Sequence, residues 1–297
     1  MNVVNVSIVV AARNESKHLV EALESILLQK GVSFELIFVD DNSTDNTLEI
    51  AQSLAQLHRQ LFVFQNPKQG KCSAFNYGIS KANGSFVCIF AGDDIMPEDS
   101  LRSRWEAVKE LPGGSPVVGL SKLITMSTIP RFDGHLIPKQ SGRGALSGVS
   151  PLMNSLVLNT VFPVPEELPN EDTWMELAVM YLEGWVVVHS DIVCCRWRVH
   201  SGNSINLTLP FKEFNNRITV RMSALRKFRD RFAGQLSEKG RRELDDRIEC
   251  EFARANGNMW GILSSQVGWV DKLRALSQCN SFFYEVRRRL YGFLSGW

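Results

Sequence analysis

What this chain of 297 residues lacks narrows its class before any motif is considered. No apolar run approaches the roughly 18 residues that a membrane-spanning helix needs, so none is expected. The short apolar N-terminal stretch reads as a first strand rather than a leader. Cysteine is sparse and unpatterned: Cys72, Cys88, Cys194, Cys195, Cys250 and Cys279 show neither metal-ligand spacing nor a secretory framework. They read as reduced core thiols of a cytoplasmic protein. No G-x-G-x-x-G follows any strand, which speaks against a nicotinamide cofactor. Gly70-Lys71 is not a P-loop, because no glycine stands five residues earlier and Cys72 replaces the hydroxyl that a P-loop offers to magnesium.

Net charge is nearly absent as well, at +1, but it is unevenly spread. Residues 1–204 sum to −6 and residues 205–297 to +7. No recognition motif accompanies the basic tail, so nucleic acid is not an expected partner. Within the tail, Phe214, Ile218, Arg221, Met222, Leu225 and Phe228 form the apolar stripe of a helix over 211–232, expected to pack on the preceding domain. The end, Phe282 to Leu294, interleaves aromatic and basic residues. Two readings of it stand: a peripheral contact with the cytosolic face of a membrane, and a helical appendage or homo-oligomer contact.

What is present is a strand–loop–helix grammar repeated three times. Val6–Val10 runs into Ala11-Ala12-Arg13-Asn14-Glu15 and a helix with Leu19, Leu23, Ile26 and Leu27 at helical spacing. Phe34–Val39 runs into Asp40-Asp41-Asn42-Ser43-Thr44-Asp45 and a helix with Leu48, Ala51, Leu54 and Leu57. Ser85–Phe90, apolar throughout and short, predicts a central parallel strand. It ends in Gly92-Asp93-Asp94, with Pro97, Glu98 and Asp99 at the start of a helix. Polar groups therefore gather at the carboxyl ends of successive strands, where open α/β sheets bind ligands. Composition, 44% hydrophobic and 22% charged, fits one large α/β domain with an appendage.

These residues carry a resemblance. Arg13-Asn14-Glu15, Val39 to Asp45, Gly70 to Gly78 and Gly92-Asp93-Asp94 resemble, in order and spacing, the donor-binding half of family 2 glycosyltransferases. Asn170-Glu171-Asp172-Thr173-Trp174 is similar to that family's Glu-Asp motif, and Arg198-Val199-His200 to its late Arg-x-His element. The resemblance spans about residues 5–205. It implies the GT-A fold, a Rossmann-like, mixed but mainly parallel sheet flanked by helices. It also implies a donor-binding half over 1–110, an acceptor-binding half over 111–204 and a basic helical appendage over 205–297.

The implied activity is transfer of a sugar, with inversion, from a nucleotide diphosphate sugar to a glycan or lipid-linked acceptor in polysaccharide biosynthesis. Asp41 would accept the imide hydrogen of a uracil-like base, with Ala12, Arg13 and Glu15 lining the donor site; alternatively Asp40 and Asp41 merely cap the following helix, with Ser43, Thr44 or Asp45 as the actual N-cap. Lys71 and Arg198 would meet the sugar or diphosphate. Asp93 would hold Mn²⁺ or Mg²⁺ with Asp94 beside it and His200 as a further ligand or phosphate contact. Ala91 stands where the family usually has a first aspartate, which bears on the strength of metal binding. Asp172 would be the catalytic base, with Glu171 fixing the loop and the acceptor; a plain helix-capping acid is the other use of Asp172. Asn76 and Gly78 are expected to shape a helix beneath the site, and Gly142-Arg143-Gly144 with Gly148 a mobile loop on the acceptor side. Two other readings stay open: a non-catalytic nucleotide-sugar-binding or scaffold subunit, which Ala91 favours, and a sugar-nucleotidyl transferase, whose glycine-rich N-terminal signature is missing.

Overall fold

The computed structural model describes residues 4–111, 114–199 and 209–294, with the side chains of the last helix described to residue 289. In chain order the elements are β1 (Val6–Ala12), α1 (Leu19–Leu27), β2 (Phe34–Asp40), α2 (Thr47–Leu57), β3 (Leu61–Gln65), α3 (Lys71–Ile79), β4 (Phe86–Ala91) and α4 (Ser100–Glu106). Then follow β5 (Val117–Met126), β6 (Leu136–Ile137), β7 (Leu152–Asn154), α5 (Ser155–Val161), α6 (Asp172–Tyr181) and β8 (Val186–Arg198). The chain continues as α7 (Phe211–Arg231), α8 (Glu238–Ala255), α9 (Met259–Ser264), α10 (Trp269–Leu276) and α11 (Ser281–Leu294).

The strands form one mixed sheet in the order β3-β2-β1-β4-β7-β5-β6, with β8 parallel to β5 on its other side. The first four strands are parallel, and β1 lies between β2 and β4. The order reverses there, so the crevice outside the carboxyl ends of β1, β2 and β4 is the place a doubly wound sheet offers a ligand. Successive residues of these strands are fully buried, among them Ile8, Val9 and Val10 in β1 and Cys88, Ile89 and Phe90 in β4. Burial without alternation means that both faces are covered, and it explains the continuous apolar runs in the sequence.

The helices cover those faces as their spacing predicts. Leu19, Leu23, Ile26 and Leu27 of α1 are all buried. The α2 stripe is realised less fully: Ala51 is buried, while Leu57, at the last turn, is exposed. The helix after β4 begins at Ser100 rather than at Pro97, with Asp99 at φ 57°. Gln29 accounts for the delay, because it donates to the Pro97 carbonyl at 2.9 Å and accepts from the Leu101 N–H at 3.0 Å. The apolar run Leu152–Leu158 is two elements, divided at Asn154, whose side chain accepts from Val157 N–H and caps α5.

The chain divides into two units: Met1–Val179 with Gly184–Val199, and Met180–Glu183 with the chain after Val199. In the second unit, α7 packs against α8 and α11. Buried Arg254 of α8 reaches Asn215 and Thr219 of α7, and Tyr284 of α11 stacks on Phe214 at 4.6 Å. No helix among the described residues is long and apolar enough to cross a membrane. All six cysteines are buried and unpaired, in keeping with a core role.

Gly78 lets α3 lie directly on the sheet, since a Cβ there would collide with Val9 Cγ1 and stand 3.0 Å from Val39 Cγ2. Gly78→Ala is therefore expected to cost about 1–3 kcal/mol of stability despite its favourable helix propensity. A denaturant midpoint equal to that of the unsubstituted protein would refute this packing.

Candidate active site

The loops after β1 and β2 are stitched together by side chains. Asn14, at φ 57°, accepts from the Thr44 N–H at 2.8 Å, and its own N–H donates to Ser43 Oγ at 3.0 Å. Glu15 N–H donates to Thr47 Oγ1 at 2.8 Å. Arg13 is exposed at the rim, where the Gln69 amide oxygen accepts from its guanidinium. Ala12 is buried at the end of β1, and its carbonyl accepts from the Asp41 N–H at 2.8 Å.

The three acidic residues after β2 divide their work. Asp45 accepts from the Thr47 N–H and hydroxyl and the Ser16 N–H; against burial, which would raise it, these bonds hold its carboxyl at a pKa of about 2. Asp45 thus serves the start of α2 from the residue before the N-cap, which is Asn46. Asp40 turns the loop by accepting from the Ser43 N–H at 3.1 Å, and its Oδ1 is buried without a hydrogen-bond partner. Asp41 does not cap α2. Its Oδ1 accepts from Asn66 Nδ2 at 2.7 Å and from the Gly70 N–H at 2.8 Å. That double anchor fixes the carboxylate plane at the mouth of the crevice.

At the end of β4 the backbone passes close to β1, since a Cβ on Gly92 would lie 2.6 Å from Ala12 Cβ. Asp93 and Asp94 then diverge. Asp94 is buried; it accepts from the Arg198 N–H at 2.7 Å and the Cys195 thiol at 3.3 Å, which ties this loop to the end of β8. Burial and the neighbouring Asp93 push its pKa up to about 7. Asp93 is half-buried, and its carbonyl accepts from Arg198 Nε at 2.7 Å. The Arg198 guanidinium also pairs with Glu21 at 2.7 Å.

The acceptor-side residues meet this cradle through Lys71. Its ammonium, at the first position of α3, lies 3.3 Å from Glu171 Oε2, and Glu171 is 3% exposed. Partial burial disfavours the ammonium, yet the carboxylates of Glu171 and Asp172 raise the Lys71 pKa above its ordinary value. Asp172 begins α6 and accepts from its neighbour's Thr173 N–H at 2.7 Å. Gly148 makes the room: a Cβ there would sit 2.6 Å from Glu171 Oε1, 3.7 Å from Asp172 Cβ and 3.6 Å from Ile89 of β4. Asn76 holds the same segment by a two-way bond with the Val164 backbone, 2.8 Å in each direction. The sequence-predicted residues Asp41, Lys71, Glu171 and Asp172 thus follow one another in contact, through Gly70.

The expected mobile loop is instead pinned. Buried Lys122 donates to the Pro138 and Gln140 carbonyls, Asp191 accepts from Gly142 N–H and Ser141, and Gly144 N–H bonds His189. Gly144 is needed because a Cβ would strike the Leu120 backbone. Gly144 and Gly148 thus serve close approach, while Gly142, at φ 70° with nothing within 4 Å of its Cβ position, serves the turn.

No group of three His, Cys, Asp or Glu side chains suited to a cation exists among the described residues, and His200 lies outside them. The donor set is one half-buried carboxylate, Asp93, because Asp94 is occupied by Arg198 and Cys195. Such a set fits a hard divalent cation that brings substrate phosphates and water as its other ligands.

Residues 7–122 match the family described as Glycosyl transferase family 2. Glycosyltransferase GlyG of Streptococcus pneumoniae serotype 4 is 40% identical over 106 residues, 35% of this chain and 35% of that protein. The poly-beta-1,6-N-acetyl-D-glucosamine synthase of Staphylococcus aureus is 28% identical over 124 residues, 42% of this chain and 30% of that protein. The matched segments thus span about a third of these relatives' length. Among solved structures, S. aureus TarS 1–349 in complex with UDP-GlcNAc superposes with a TM-score of 0.62 at 20% identity, covering 93% of this chain and 80% of that one. The mannosyltransferase PcManGT of Pyrobaculum calidifontis, in complex with GDP-Man and Mn²⁺, gives 0.57 at 16% identity, covering 100% and 82%. At such identities the likeness is one of fold, and that fold is GT-A.

Asn66 is the site residue that the sequence reading missed. It is buried directly after β3, donates to Asp41, accepts from Ser73 Oγ at 3.3 Å, and its backbone N–H bonds the Asp40 carbonyl at 2.8 Å. The signal was a polar residue closing a strand, but β3 itself had not been recognised. Asn66→Ala leaves the buried Asp41 carboxylate short of a donor, and a loss of about 1–3 kcal/mol is expected in chemical denaturation; an unchanged midpoint would mean that Asp41 is held by other groups.

Proposed function

We propose, from the glycosyl transferase family 2 domain formed by residues 7–122, that this chain transfers a glycosyl group from a nucleotide diphosphate sugar to a hydroxyl of a glycan or lipid-linked acceptor. The donor is a UDP-sugar. The observation that carries this reading is the convergence of Lys71 with Glu171 and Asp172 beside the Asp41 cradle, at the carboxyl ends of parallel strands.

Asp41 is anchored through Oδ1, which leaves Oδ2 as the oxygen to accept the imide N–H of a uracil ring, a base that presents a donor there. Ala12, Arg13 and Glu15 line the same end of β1. Lys71 and Arg198 place cationic donors toward the diphosphate, with Arg198 exchanging its surface partner Glu21 for phosphate oxygen. Asp93 would hold a divalent cation, Mn²⁺ or Mg²⁺, whose charge would offset that of the departing nucleotide diphosphate. Asp172 takes the proton of the acceptor hydroxyl as its oxygen bonds to the anomeric carbon. In the same step the bond from that carbon to the phosphate oxygen breaks on the opposite face, so the anomeric configuration inverts. Glu171, neutralised by Lys71, holds the start of α6 so that Asp172 keeps its place. Ala91 supplies no ligand, so the cation is expected to bind with the donor rather than before it.

Asp172→Asn tests the assignment. The amide keeps the shape and the Thr173 contact but cannot take a proton, so turnover is expected to fall by roughly 10²–10⁴-fold, with UDP affinity unchanged in calorimetry. Near-normal turnover would place the base elsewhere.

A further inference from the structure

We propose that the second unit carries a seat for an anionic lipid surface on the exposed faces of α9 and α10. Residues 255–270 contain no charged side chain, and the structure turns their largest apolar groups outward. Trp260 is 82% exposed, Trp269 71%, Val270 70% and, one turn along α10, Leu273 63%. Residues 269, 270 and 273 fall on one face of that helix, while Ala275 faces the small core formed with Ile262, Cys250 and Cys279. The apolar side of α10 is thus its exposed side among the described residues. Lys272 joins the two helices, because its ammonium donates to the Leu263 carbonyl at 2.7 Å and lies 5.3 Å over the Trp269 ring. Lys272 thus brings Leu263 of α9 to Trp269 of α10, and Trp260 lies one turn before Leu263 on α9.

The chemistry of the patch selects its occupant. Exposed tryptophans with apolar bodies and polar N–H groups suit the boundary between headgroups and acyl chains. Residues 205–297 carry +7, which complements an anionic bilayer. A second copy docked on the same patch would bring an identical positive unit against itself. The location also differs from the one the tail sequence suggested. On α11, Phe283 packs into the small core and Tyr284 donates to the Leu209 carbonyl at 2.9 Å, so of the described aromatic side chains there, Phe282, Phe283 and Tyr284, two are used internally. The proposal stands apart from the donor-site reading, because its readout is lipid binding.

The test is co-sedimentation of the full chain with vesicles of phosphatidylcholine alone and with about 30% phosphatidylglycerol, at low and at physiological salt. Comparison is with the triple variant Trp260→Ser, Trp269→Ser, Leu273→Ser and with Arg287→Gln, Arg288→Gln, Arg289→Gln. The unsubstituted chain is expected to bind the anionic vesicles, and the first variant to bind at least about tenfold less while its melting temperature holds. The arginine variant is expected to lose less. Equal sedimentation of the first variant, or loss confined to the arginine variant, would overturn the assignment. Failure of the unsubstituted chain to bind, with self-association abolished by the first variant, would instead make the patch an interface between copies.

Discussion

The ion pair between Lys71 and Glu171 is the constraint on which the candidate site depends. A carboxylate buried as deeply as Glu171 is costly unless an opposite charge meets it. Among the described residues the ammonium that meets it is that of Lys71, at the start of α3, a helix fixed to the sheet by Gly78 and to Asp41 by the Gly70 N–H. On the other side, Gly148 gives Glu171 the space to approach β4. The pair thus joins the strand-end cradle to the start of α6, and with it Asp172. Such a pair is better understood as fixing geometry than as adding stability, since well-packed apolar groups of similar size commonly stabilise as much.

The same economy of position appears around Asp93 and Asp94. Adjacent in sequence, they lie in different environments: Asp94 is withdrawn to hold Arg198 and Cys195, while Asp93 stays half-buried beside the crevice. Burial and the neighbouring Asp93 push the Asp94 pKa up to about 7, which suits a carboxyl withdrawn from the crevice. A single half-buried carboxylate, with Ala91 two residues before it, makes a weak site for a cation alone and an adequate one for a cation carried on a diphosphate.

How much of this was legible in the sequence follows from burial. Strands β1, β2 and β4 are covered on both faces and so read as continuous apolar runs, and the polar groups at their ends, Asp41 and Asp93 among them, could be placed from the strand ends alone. Edge strand β3 exposes Phe62 and offers only the short run Leu61–Phe64, framed by polar residues, and Asn66 was lost with it. The division of Leu152–Leu158 was hidden because the signal is one side chain, Asn154, which caps α5 at Val157 and also holds distant Val117 and Ser115. Glycines misled for a related reason: Gly144 and Gly148 looked like flexibility, whereas each admits a close neighbour that no sequence pattern names. The pairing of Lys71 with Glu171, a hundred residues apart, belongs to tertiary structure alone.

The central claim is that the crevice at the ends of β1, β2 and β4 is a nucleotide-sugar donor site reading its base through Asp41. Titration calorimetry of the full chain with UDP, GDP, dTDP and CDP, each with and without Mn²⁺, tests it most directly. Heat of binding for UDP that requires the metal, and that is lost in Asp41→Ala, is the predicted result. Absence of binding for all four nucleotides in the presence of Mn²⁺ would contradict the account.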